Sequence, residues 1–225
     1  MKRARPLIFV VLLILTACTS LPPIEPLSPS PDDRTRCSRP FVKRDWQFVH
    51  SIAATLPGGK NTLITGITTV FPDRESVHAM ILSLEGLVLF DGITQGDKID
   101  IRRGISVFAT TAFAEGLMRD VRLIFLKPAD IPVEIGGSAG GTAVCRYRRT
   151  DGSVVDVTSH RNGNWELVQY DAGHHPRRRV NAWIDDSGQP ADGEHPPSRI
   201  ELTALDTFGY ALDMRLIQSA GESVR

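Results

Sequence analysis

Between residues 46 and 217 short apolar runs alternate with turn residues, and this rhythm limits the chain to a mainly β fold. Residues 47–56 predict a first strand, Pro57-Gly58-Gly59-Lys60 a turn, and residues 62–71 a second strand. Residues 77–84, 87–90 and 98–101 continue the meander, with Glu85-Gly86 and Gln95-Gly96-Asp97 as turns. Asp151-Gly152, between runs 144–149 and 153–159, predicts a hairpin because both residues tolerate the positive backbone angles of a tight primed turn. Runs 165–170, 180–184, 199–205 and 210–217 follow as further strands. One segment breaks the rhythm. Phe108, Ala112, Phe113, Leu117, Val121, Ile124 and Phe125 recur at spacings of three to five without proline until Pro128, which favours a helix. The expectation is one curved antiparallel sheet of about ten strands with the single helix as a lid.

The first residues carry a different signal. Lys2, Arg3 and Arg5 form a cationic start, residues 7–15 an apolar middle, and Leu15-Thr16-Ala17-Cys18 matches the lipobox of bacterial lipoproteins. Roughly ten apolar residues are too few for a bilayer that needs about twenty, so a signal peptide over residues 1–17 is expected rather than a spanning helix. Cys18 then becomes the lipidated first residue, and several acyl chains on one residue hold a membrane in a way that a single chain does not. Residues 18–44 contain Pro22, Pro23, Pro26, Pro29 and Pro31 and predict an extended tether. A single β domain over residues 45–218 and a disordered tail over 219–225 complete the division. Thr19 is not the aspartate that marks inner-membrane retention in enteric-type bacteria, which favours the periplasmic face of the outer membrane.

Removing residues 1–17 takes the basic count from 26 to 23 against 26 acids. No basic excess is left to seek phosphates, so nucleic acid is not an expected partner. Lipidation of Cys18 leaves Cys37 and Cys145 in a compartment where disulfides persist. If paired, they close a loop of about 107 residues. Free thiols are the alternative, since the sequence does not set their distance.

Two motifs invite chemistry. Gly136-Gly137-Ser138-Ala139-Gly140 fits a nucleophile elbow, with Asp171, Asp185 and His195 downstream, but the surrounding pattern lacks the strand–turn–helix setting an elbow needs. A Ser138 esterase is therefore the least favoured reading, and no catalytic residue, cofactor or metal is expected. His174 and His175 beside Arg177, Arg178 and Arg179 make the compact cationic cluster of the chain. Adjacent strand histidines point to opposite faces, so a solvated hairpin tip is expected before a zinc site or an anionic-headgroup contact.

The apolar faces are more informative. Met80, Leu82, Leu84 and Phe90 are expected to line one face of the sheet, with Phe113 and Leu117 facing them from the helix. Such a surface is either an ordinary core or a cavity that accepts acyl chains. The lipobox, the Pro-rich segment, Met80-Ile81-Leu82-Ser83-Leu84-Glu85-Gly86-Leu87, the helical segment, Asn162-Gly163-Asn164-Trp165 and the closing pair 200–203 and 210–212 resemble, in order, the LolA/LolB-like outer-membrane lipoprotein receptors. The resemblance implies a half-open barrel whose helices close an apolar cavity, and an exposed loop leucine at Leu84 or Leu87. It implies a lipid-anchored, non-enzymatic carrier or acceptor of acyl chains or lipoproteins. The alternative from another class is an assembly lipoprotein that presents a protein-binding face and holds no ligand.

Overall fold

The computed structural model describes residues 20–26, 31–96, 98–128, 132–138, 142–185, 196–206 and 209–221. Cys18, His195 and residues 1–17 lie outside them. Among the described residues one sheet contains thirteen strands in the order β1-β7-β8-β9-β10-β11-β12-β13-β2-β3-β4-β5-β6. In chain order the strands are β1 (Glu25–Pro26), β2 (Trp46–Thr55), β3 (Asn61–Phe71), β4 (Ser76–Leu82), β5 (Val88–Gln95), β6 (Lys98–Gly104), β7 (Glu134–Ser138), β8 (Thr142–Arg148), β9 (Val154–Ser159), β10 (Trp165–Tyr170), β11 (Pro176–Trp183), β12 (Arg199–Ala204) and β13 (Ala211–Gly221). Among the described residues every pairing is antiparallel, and β1 and β6 remain as edges, so the sheet is not closed. Among the described residues two α-helices accompany the sheet: α1 (Pro31–Ser38) and α2 (Thr111–Phe125), the latter entered through a 3-10 turn at Ser106–Ala109. Gly116 does not divide α2.

Alternation sets the two faces. Phe48, His50 and Ile52 on β2, Val77, Ala79 and Ile81 on β4, Leu167 on β10, Val180 on β11 and Ile200 and Leu202 on β12 are buried on the concave side. Helix α2 crosses that side with Ala114, Met118, Leu123, Ile124 and Phe125 turned inward. Gly92 lets it sit close, because a Cβ there would lie 2.6 Å from Phe90 Cζ and 3.3 Å from Met118 Sδ.

The segment expected to be a free tether is, where described, part of the domain. Leu21 packs on the convex side against Val154, Val168 and Tyr170. Glu25 and Pro26 pair with Gly137 and Gly136 of β7, and a side chain at Gly136 would collide with Ile24 and the Glu25 carbonyl. On the concave side Cys37 is joined to Cys145 by a disulfide with Cα atoms 5.6 Å apart, and Phe41 lies 6.4 Å from Trp165. Proline-rich composition disfavours a core made from that segment alone, but not its laying along one that already exists. At the other end, residues 219–221 belong to β13 and pair with β2, so the tail expected from 219 begins inside a strand.

Candidate functional site: the concave face and its helical lid

Helix α2 is held to the sheet in two ways. Its apolar stripe lies on β4, β5 and β6, where Phe90, Ala114 and Met118 are fully buried. Across the sheet it is pinned by charge. Arg178 of β11 points to the concave side, as do its neighbours Val180 and Ala182, and its Nε donates to Asp120 Oδ1 at 2.9 Å. Its Nη1 donates to Asp206 Oδ2 at 2.6 Å, the Tyr210 hydroxyl donates to Asp120 Oδ2, and the guanidinium lies 5.4 Å from the Tyr210 ring centroid. Burial pushes the Asp120 carboxyl up to about 6, and Arg178 pulls it back without offsetting that cost. This network was not legible beforehand, because Asp120 and Arg178 are 58 residues apart and each resembles an ordinary surface charge in sequence.

A second polar group is buried deeper. His50 is 1% exposed, its Nδ1 has no hydrogen-bond partner, and burial lowers its pKa to about 4. It lines a cavity of about 20 Å³ with Phe48, Ile124, Phe125, Trp165 and Ile200. That volume suits about one water, so the side chains beneath the C-terminal end of α2 are close to contact.

No protein-family model and no curated relative matches the sequence. Among solved structures, a LolA superfamily protein from Nitrosomonas europaea superposes with a TM-score of 0.60 at 12% identity, over 85% of this chain and 92% of its own. The chain has a LolA-like fold. An outer membrane lipoprotein-sorting protein domain from Vibrio parahaemolyticus (8% identity, 84% of this chain and 90% of its own) has a TM-score of 0.48. A DUF1329 family protein from Desulfovibrio piger (12% identity, 85% and 91%) has the same TM-score.

Within this LolA-like fold the expected lining residues separate. Phe90 lies under α2, while Phe113 and Leu117 are half-buried on it. Met80 and Leu82 do not line the concave face. Val77, Ala79 and Ile81 fill it, and the alternation of β4 sends Met80 and Leu82 to the convex side. The apolar run 79–82 carries no polar residue to reveal its phase, so sequence alone could not choose between the two faces. Leu84 is not in the sheet but on the β4–β5 turn, where it is 65% exposed beside Leu87 at 51%.

The two chemical motifs also take definite places. The backbone of Ser138 ends β7 and pairs with Thr142 of antiparallel β8, the opposite of the strand-to-helix turn that an elbow requires. Gly136 and Gly137 receive the N-terminal segment instead. The cationic cluster is no uniform hairpin tip. β11 starts at Pro176, so Arg177, Arg178 and Arg179 lie on a strand, Arg177 near Asp171 at 3.7 Å and Arg179 near Glu166 at 3.3 Å. Among the described residues no group of three or more potential ligands could hold a metal ion.

Proposed function

We propose that this chain is a lipid-anchored carrier or acceptor of lipids or lipoproteins at the periplasmic face of the outer membrane, joined to it through Cys18. The observation that carries the reading is an apolar concave sheet covered by one amphipathic helix whose far side is pinned by the Asp120–Arg178 pair. A helix sealed by packing alone would need no such pair. A helix that lifts needs a contact that can break and re-form. In this reading acyl chains enter as α2 moves outward. Leu84 and Leu87, exposed on their turn, then offer an apolar contact to an incoming chain or to the bilayer. The LolA superfamily likeness supports the fold on which this reading rests.

The tight interior favours one second reading, an assembly lipoprotein that uses its surface and holds no ligand. Binding of an aliphatic fluorescent probe separates the two, since burying an acyl chain gains roughly 0.8 kcal/mol per methylene before association costs are subtracted. A carrier binds at micromolar concentration and releases lipid in native mass spectrometry after purification from membranes. A folded protein that does neither is the assembly lipoprotein.

A further inference from the structure

Because every strand pair is antiparallel, one end of the sheet gathers the turns at 56–60, 83–87, 149–153 and 171–175, the exit from Ala204 and the exit from β6. The exposed large apolar residues Leu84, Leu87, Val107 and Leu205 lie on these connections. Val133 belongs to the same end, since its N–H donates to the Arg146 carbonyl two residues before β8 finishes. At the other end lie the 3-10 turn Pro72–Arg74 and the β9–β10 turn at Asn162.

The N-terminal segment leads to the same end. Its Leu21 rests on Val154, the first residue of β9, and on Tyr170, the last of β10. It is fixed there by Arg146, whose Nη2 donates to the Pro22 carbonyl at 2.8 Å, and by the pairing of Glu25 and Pro26 with β7. Arg146 is itself held by Asp156, with Nε to Oδ1 and Nη2 to Oδ2 both at 2.8 Å. Cys18 precedes Leu21 by three residues, a reach of about 10 Å even when extended.

We infer that residues 20–26 are a strap rather than a tether, and that it seats the turn-bearing end of the sheet, with Leu84, Leu87, Val107, Val133 and Leu205, against the bilayer that carries the anchor. This rests on the reading of Cys18 as the lipidated residue. A chain fixed to the sheet within three residues of its anchor cannot hold the domain nanometres away. The end nearest the anchor also carries five of the eight exposed large apolar residues among the described residues, and insertion into the acyl boundary removes these from water. A lid helix entered from that end at Ser106–Ala109 then opens beside the membrane.

The test uses mature protein purified from membranes, its lipidation read from the intact mass. It is placed in vesicles of phosphatidylethanolamine and phosphatidylglycerol with brominated acyl chains. A single fluorophore is attached through Leu205→Cys or Val133→Cys at the proposed contact, or through Asn162→Cys or Asp73→Cys at the far end. Quenching at least threefold stronger at 205 and 133 than at 162 and 73 is expected. A flexible Gly-Ser stretch inserted between Thr19 and Ser20 should reduce that preference at least threefold. Equal quenching at the two ends, or a preference that the insertion leaves unchanged, overturns the strap proposal while a lipidated mass leaves the anchor in place. An unlipidated mass overturns both.

Discussion

Asp120 on the lid helix and Arg178 on β11 meet at 2.9 Å across the concave face, with side chains only 8% and 15% exposed. The pair ties α2 to the strands on the far side of the concave face. Removing the cation leaves a buried carboxylate uncompensated, which costs about 3–5 kcal/mol.

Arg178→Ala should therefore lower the stability of the lid region by that amount. Amide hydrogen exchange across Thr111–Phe125 should accelerate well before exchange in β9 and β10 does. Equal acceleration throughout would mean that the pair supports the whole fold and does not act as a latch on α2.

The pH dependence of stability should be nearly flat in the wild type and sloped in two single variants. Asp120 holds its proton more tightly when folded, so its contribution is present below about 3.8 and is lost as pH rises through about 6. His50 holds its proton less tightly, so its contribution is present above about 6.5 and is lost as pH falls through about 4. Each is on the order of 3 kcal/mol and they run in opposite directions. Urea unfolding of Asp120→Asn should show stability falling with acid, and His50→Leu should show stability rising with acid. A wild type with a steep slope in this window would contradict the compensation.

Arg146→Met should free residues 20–26 from the convex face and leave Asp156 buried without its cation, at a cost of about 3–5 kcal/mol. Limited proteolysis should then cut near Pro22 and Glu25 under conditions that leave the wild type intact. The double replacement Arg146→Met with Asp156→Leu should recover most of the stability but not the protection, since the contact to the Pro22 carbonyl is still missing.

Denatured mature protein should show no free thiol, because Cys37 and Cys145 are joined across 108 positions. Replacing both with Ser should cost about 4–5 kcal/mol on the loop-entropy view. It should also loosen α1 first, since the disulfide sits on that helix beside the hydrogen bonds from Tyr147 and Ser159 to the Cys37 and Arg36 carbonyls.

How much of this was legible in the sequence differs from element to element. The strands β2 to β6 and β8 to β13 and helix α2 announce themselves through local periodicity, because the alternation of buried and exposed positions is a property of each segment on its own. The lipobox is equally local, and so is the turn at Glu85-Gly86 that exposes Leu84 and Leu87. What stayed hidden depends on distant partners. The phase of Met80 and Leu82 is fixed by Ile67 and Asp91 across the ladder and by the side of the sheet on which α2 lies. Strand β7 looks like a flexible Gly-rich loop until Glu25 and Pro26 use its missing side chains for close approach. The proline-rich segment has no core-forming power of its own, and residues 20–26 lie along the sheet only because Arg146, Gly136 and the Val154–Tyr170 surface already stand where they pass. Sequence thus determined which segments form strands and a helix, through interactions among near neighbours. Tertiary structure decided which face is filled, what pins α2 to the sheet and where residues 20–26 lie, because each needs groups that only folding brings within a few ångströms.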